Sequence, residues 1–168
     1  DILEFEEEET DNDAINTSLS AWKIIIVDDE PTVHQVTKLA LKNFVFDGKP
    51  VTFFSGYSSQ DAKELIAAHP DTALILLDVV MDTSDAGLQI VKYIREQLKN
   101  KQVRIILRTG QPGEAPEESV IINYDINDYK LKVELTRQKL VTTTIVALRS
   151  YRDFTIIEEK SIKLNQAL

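Results

Sequence analysis

Residues 23–29 read KIIIVDD: four consecutive β-branched residues, Ile24, Ile25, Ile26 and Val27, running straight into two aspartates. β-branched side chains favour the pleated backbone, and an unbroken apolar run, rather than an alternating one, belongs to a strand covered on both faces. That makes residues 23–27 a central strand of a parallel sheet with helices on either side. Carboxylates placed directly past such a strand stand where open parallel sheets bind ligands. Beyond it, short runs mostly rich in Val, Ile, Leu or Phe recur at residues 51–54, 73–77 and 103–107, and residues 127–131 are a fifth strand candidate. Asp78, Thr109 and Lys132 follow the last three of these runs at or just past their ends. Five strands separated by amphipathic stretches predict an α/β fold, a doubly wound five-stranded parallel sheet.

Helical periodicity fills the intervals. Pro31 suits a first helical turn, with Val33, Val36, Ala40 and Phe44 as the inner stripe and Asp47-Gly48 as the stop. Ser58 to Asp61 reads as a capping box for a second helix, which turns Ala62, Leu65 and Ile66 inward and closes at His69-Pro70. Ser84 or Asp85 would cap a third, with Gly87, Ile90, Val91, Ile94 and Leu98 inward. Gly110, Pro112, Gly113 and Pro116 break the next interval and leave a turn or two near residues 116–124. From Leu135 onward there is no proline or glycine, which predicts a last helix of about 30 residues. Leu140, Thr144, Ala147 and Tyr151 would cover the sheet; Val141, Ile145 and Leu148 form a second stripe. Beyond Ser150, Phe154, Ile157, Ser161, Leu164 and Leu168 keep a helical spacing, so a rod of roughly 25 Å is expected to leave the domain. Two stripes imply two partners, the second being another copy of the chain or a further domain.

The chain has 168 residues, with 28 acidic and 19 basic side chains and no cysteine. Eight of the acids and none of the bases lie in residues 1–22, so the rest is nearly neutral. Residues 1–22 are expected to be a flexible acidic leader, residues 23–150 the domain and residues 151–168 a helical extension. A near-neutral body gives no support for nucleic-acid binding. No apolar run approaches the roughly 20 residues that span a bilayer, so a membrane protein is not expected. Without cysteine there is no disulfide framework, thiolate metal cluster or Cys nucleophile, and no secretory signal is legible; a cytoplasmic setting is the expectation. His34 and His69, the two histidines, are assigned ordinary surface roles.

The sheet brings the tips of strands one, three, four and five to one edge, gathering Asp28, Asp29, Asp78, Thr109 and Lys132. Two unit charges about 4 Å apart repel by roughly 4 kcal/mol at an effective dielectric of 20, so three close carboxylates call for a cation. An all-oxygen set with room for water suits Mg²⁺, held by Asp28, Asp29, Asp78 and the Val80 backbone carbonyl. Asp78, at the centre, suits a nucleophile forming an acyl phosphate, with Lys132 and the Thr109 hydroxyl on the phosphoryl oxygens. A second reaction class, an aspartyl phosphatase of the haloacid-dehalogenase type, wants an acid two residues past the nucleophile, where Val80 stands. The five glycines make no phosphate-cradling loop.

The segments IIIVDDEPTV, ALILLDVVMD, IILRTG and NDYKLK, in this order, resemble the four motif stations of a response-regulator receiver domain of bacterial two-component signalling. Their spacing fits as well: 49 positions from Asp29 to Asp78, 31 on to Thr109 and 23 on to Lys132. The resemblance spans about residues 22–150 and implies a flavodoxin-like sheet of order 2-1-3-4-5. It implies that Asp78 is the phospho-acceptor, Asp28 and Asp29 the metal-binding pair, Thr109 the switch hydroxyl and Lys132 the phosphoryl-pairing lysine. Tyr129 matches the aromatic that follows the switch hydroxyl inward. A histidine kinase or phosphotransfer protein is the implied donor, and the domain catalyses only its own phosphorylation and slow dephosphorylation. More narrowly, FDGKPVTFFS, RTGQPGEAPE and ALRSYRDF are similar to receivers that precede an HD or HD-GYP phosphohydrolase acting on cyclic di-GMP. That output domain is expected beyond this chain, with a homodimer formed through the last helix.

The chain departs from the family pattern in four places. Val133 stands where a proline commonly follows the lysine, and Asp82 to Asp85 replaces a proline-containing turn. Gly110 replaces an alanine, and the fourth helix is interrupted. These changes keep open the alternative of a pseudo-receiver, a dimerisation or interaction module that works without phosphorylation.

Overall fold

A computed structural model describes residues 20–110, 121–123, 125–132 and 136–168. Its elements are β1 (Trp22–Val27), α1 (Pro31–Ala40), β2 (Val45–Phe46), β3 (Lys49–Gly56), α2 (Ser59–Ala68), β4 (Leu74–Asp78), α3 (Ala86–Lys92), β5 (Arg104–Thr109), β6 (Asp128–Leu131) and α4 (Arg137–Ala167). The sheet order is β2-β3-β1-β4-β5-β6, and every pairing is parallel except β2 with β3. The five expected strands are present in the order 2-1-3-4-5, and β2 adds a short sixth at one edge.

β4 and β5 are buried along their whole length, Arg104 and Arg108 of β5 included, and Ile24 to Val27 of β1 are fully buried. One core layer joins Ile25, Val27, Ile75, Leu77, Ile105 and Leu107 to α2 and α3. The opposite layer joins Ile24, Leu74, Leu76 and Ile106 to Leu41, Leu140 and Ala147 beneath α1 and α4. Alternation along each strand therefore decides which helix pair a side chain meets.

Several local expectations change. Asp47-Gly48 does not stop α1, which ends at Ala40; both residues have positive φ, 51° and 74°, and form the two-residue turn between β2 and β3. Asp-Gly is a hairpin signal because that turn needs φ > 0 at both central positions. The buried stripe of α1 is His34 and Thr37, with Leu41 just beyond, and Val36 points outward at 59% exposure. In α2, Ser58 accepts a hydrogen bond from the Asp61 N–H, as the capping reading required. α3 runs into a π-helical turn at Tyr93–Gln97, which shifts the register by one residue and leaves Leu98 exposed rather than inward.

Leu148 is fully buried beside Trp22 and Ala73, so it belongs to the body-facing stripe of α4, not to a second one. Contacts with the body also extend further than Ser150. Arg104 lies over the Phe154 ring, and Gln102 donates to Glu158. Residues 159–168 are all exposed, so the free part of the helix is about 15 Å long. Residues 121–123 are helical. The rest of the expected 116–124 turns, the 1–19 portion of the leader and the 133–135 turn lie outside the described residues. Among the described residues, no helix is long and apolar enough to cross a membrane.

Candidate functional site

The tips of β1, β4, β5 and β6 meet at one edge. Asp28, Asp29 and Asp78 each offer a carboxylate oxygen there, all within 4.8 Å of one another. Asp28 is fully buried, Asp78 is 3% exposed and Asp29 faces solvent. Lys132 closes the group: its Nζ lies 2.9 Å from Asp28 Oδ2 and 3.3 Å from Asp78 Oδ2. Lys130, the other lysine of this segment, pairs instead with Asp128 at 3.5 Å. Asp78 Oδ1 accepts the Val80 N–H at 3.4 Å. Thr109 is wholly buried at the end of β5, opposite Leu131. Tyr129 is 8% exposed and packs inward in the same core layer as Leu107 and Ile126.

Burial, and then the neighbouring Asp28 charge, push the Asp78 carboxyl up to about 6; Lys132 opposes the rise. Burial works against the Lys132 ammonium, but bonds to Asp28 and Asp78 and their charges hold it above the usual lysine value. The site is thus over-supplied with carboxylate, and its oxygens fit a hard divalent cation such as Mg²⁺.

Backbone packing fixes the position of Asp78. A Cβ on Gly87 would lie 2.4 Å from the Asp78 carbonyl oxygen and 2.8 Å from Val79 Cα, so only glycine lets α3 start this close to the end of β4. Its N–H donates to the Val79 carbonyl at 2.9 Å. The Asp82 to Asp85 loop is held by side chains in place of a proline turn. Ser59 Oγ donates to Asp82 at 2.7 Å, while Thr83 and Gln89 donate to the two oxygens of Asp85.

Two buried polar residues of this region escaped the sequence reading. Arg108, next to Thr109 but on the opposite face of β5, is 3% exposed and donates from Nη1 to Thr37 Oγ1 at 3.0 Å. Burial lowers its pKa while the charges of Asp28 and Asp78 oppose this, so it stands as a second cation behind the carboxylates. A charged residue at the end of the apolar run Ile105-Ile106-Leu107 was the legible signal. His34 is the other: it is 2% exposed rather than a surface residue, because the helical phase of α1 turns it under the β1 tip. His69 remains a helix-end residue, the C-cap of α2, stacked on Phe54.

The sequence profile of the response regulator receiver domain matches residues 24–144. The chain belongs to that family. It is 48% identical over 151 residues to the 3'3'-cGAMP-specific phosphodiesterase 2 of Vibrio cholerae, covering 90% of this chain and 29% of that protein. The chain therefore spans less than a third of the length of this relative. It is 26% identical over 110 residues to the chemotaxis protein CheY1 of Helicobacter pylori, covering 66% of this chain and 84% of that one. Among solved structures, the signal receiver domain of an HD domain-containing protein from Pseudomonas fluorescens shares its fold. The TM-score is 0.66 at 21% identity, with 79% of this chain and 98% of that one covered. Neighbours of the same fold include the N-terminal domain of a response regulator/sensory box/GGDEF protein from Carboxydothermus hydrogenoformans. There the TM-score is 0.64 at 23% identity, with coverage of 79% and 98%. The receiver is a regulatory module of two-component signalling.

Proposed function

We propose that this receiver accepts a phosphoryl group on Asp78 and passes the change along α4 to an attached output. The supporting observation is the double ion pair of Lys132 with Asp28 and Asp78, beside a third carboxylate on Asp29. Asp28, Asp29, Asp78 and the Val80 carbonyl are the residues to hold Mg²⁺, which when bound neutralises charge on the carboxylates and on the transferred group. Asp78 supplies the nucleophilic oxygen. It forms a bond to phosphorus as the P–N bond to a kinase or phosphotransfer histidine breaks, and the bonding electrons leave with the imidazole nitrogen. Lys132 shifts its pairing from the free carboxylate to the new oxygens, and the buried Thr109 hydroxyl donates to one of them. Tyr129 follows Thr109, and the repacking reaches α4, whose N-terminal half lies on the core layer of β4 and β5.

Incubation with Mg²⁺ and a small acyl phosphate tests this by mass spectrometry. One phosphoryl group is gained by the natural chain and none by Asp78→Asn. No gain in the natural chain overturns the reading in favour of a pseudo-receiver that associates without phosphate. Val80 is apolar and positions no water, so the acyl phosphate is expected to be long-lived; a half-life of seconds with Mg²⁺ present contradicts that part.

The output reading rests on the relative. Its name supports a cyclic-dinucleotide phosphodiesterase output for the longer protein and points to cGAMP rather than cyclic di-GMP. Under this reading residues 1–22 are a leader, residues 23–150 the receiver, and the exposed end of α4 the connection to the output and the contact for a second copy. The sequence following Leu168 in the gene product decides the output class.

A further inference from the structure

His34 sits on the buried face of α1 with both ring nitrogens engaged. Nε2 lies 2.7 Å from the Asp28 carbonyl oxygen and Nδ1 lies 3.0 Å from Ser55 Oγ. The Tyr57 ring covers it at 4.3 Å between centroids. A carbonyl only accepts, so Nε2 carries the proton, and Nδ1 accepts from the Ser55 hydroxyl. The partner it has chosen is the informative part. It does not satisfy its own helix; it reaches back six residues to the peptide that joins Asp28 to Asp29.

Asp28 itself is held by its other polar groups as well, whereas the Asp29 side chain is not. The Asp28 N–H donates to the Gly56 carbonyl at 3.1 Å, Asp28 Oδ1 accepts the Glu30 N–H at 2.9 Å, and Oδ2 meets Lys132. Asp29 is the exception: its side chain is exposed. Because the peptide unit is planar, orienting the Asp28 carbonyl also orients the Asp29 N–H and Cα. The His34 bond thereby fixes the point from which the Asp29 side chain leaves the strand tip, and its carboxylate lies within 4.8 Å of those of Asp28 and Asp78.

We propose that His34 is a positioning residue for the divalent-cation site, fixing the Asp28–Asp29 peptide so that the exposed carboxylate converges with the two buried ones. It acts through Asp28 and Asp29 and touches no reacting atom. The inference rests on the phosphoryl-acceptor reading, because it needs that carboxylate group to hold a cation.

The test uses the full chain and Mg²⁺ alone, titrated by calorimetry, with the thermal midpoint in EDTA as the measure of packing. His34→Phe keeps an aromatic ring against Tyr57 and loses the donor; His34→Gln keeps an amide donor. Outer-shell partners of metal ligands typically alter affinity 10- to 100-fold, so the Phe variant is expected to bind Mg²⁺ about tenfold more weakly and the Gln variant close to normally. At saturating Mg²⁺ the Phe variant should take up phosphoryl groups at nearly the natural rate, its defect being confined to the Mg²⁺ concentration required. The amide signal of Asp29 in the metal-free protein should shift in the Phe variant and return towards its natural position in the Gln variant. Should the Phe variant fold poorly, Ser55→Ala, which removes the hydroxyl that holds the ring in the tautomer with its proton on Nε2, must weaken Mg²⁺ in the same direction. Unchanged Mg²⁺ affinity in these variants, whatever their thermal midpoints, overturns the inference and leaves His34 a packing residue. Failure of the natural chain to bind Mg²⁺ would instead sink the underlying reading, so the two failures are distinguishable.

Discussion

At the scale of single residues, the site is a balance of buried charges whose state depends on pH. Asp78 has a folded pKa of about 6 against an ordinary 3.8. An acid raised in this way is fully accommodated below its unfolded value and costs stability once ionised. The metal-free protein should therefore lose stability as pH rises from about 4 to about 6, by about 3 kcal/mol from this group. Mg²⁺ must displace the proton below that range, so the rise in thermal midpoint on adding Mg²⁺ should be larger at pH 7 than at pH 5. Equal rises would contradict the assignment. Lys132 occupies the same oxygens that a cation needs. Lys132→Met should destabilise the metal-free chain by about 2 kcal/mol, less than the 3–5 typical of a fully buried broken pair, since this ammonium is partly exposed. Added Mg²⁺ should recover most of the loss and bind at least as tightly as in the natural chain, while phosphoryl uptake falls. Weaker Mg²⁺ binding in that variant would show that Lys132 organises the carboxylates rather than competing for them.

At the scale of elements, the site depends on where one helix begins and the sheet's support on where another does. α3 starts against the end of β4 at Gly87, where any Cβ would press on backbone that cannot give way. Gly87→Ala should cost about 1–3 kcal/mol in denaturant unfolding and also impair phosphoryl uptake, because the Asp78 backbone has to shift. Ser58→Ala removes the α2 cap for about 1 kcal/mol and should leave phosphoryl uptake unchanged. The contrast separates an element that places Asp78 from one that only supports the sheet. Comparable impairment by both would mean that uptake follows global stability.

At the scale of the whole molecule, the two-sided sheet joins chemistry at the strand tips to the long helix on its back. α4 is clamped to the body by Thr144, Ala147, Leu148 and Phe154 and runs free only after Glu158. Removing residues 159–168 should leave the thermal midpoint within about 2 °C of the natural value, since exposed ends contribute few contacts. Removing everything after Ser150 should lower it clearly. If self-association runs through the free end, sedimentation will show it abolished by the shorter deletion; persistence would place the contact elsewhere.

Much was legible along the chain because the relevant signals are local. Short runs rich in Ile, Leu and Val ahead of Asp28, Asp78 and Thr109 specify strands and put polar residues at their tips, and a parallel sheet then collects those tips at one edge. Asp47-Gly48 is an equally local signal that fits a helix stop and a hairpin alike, and positive φ at both residues serves the hairpin. Other features depended on helical phase and packing partners that no single segment contains. The π turn after α3 exposed Leu98, and the rotation of α1 buried His34 and exposed Val36. Leu148 went to the body because Trp22 and Ala73 were there to receive it. Their places at the ends of expected strands, and the resemblance to receivers, made Asp28, Asp29, Asp78 and Lys132 candidates. Only the tertiary fold could bring the Lys132 ammonium within ion-pair distance of two carboxylates 54 and 104 positions earlier in the chain, because strand order, and not sequence separation, sets which tips are neighbours.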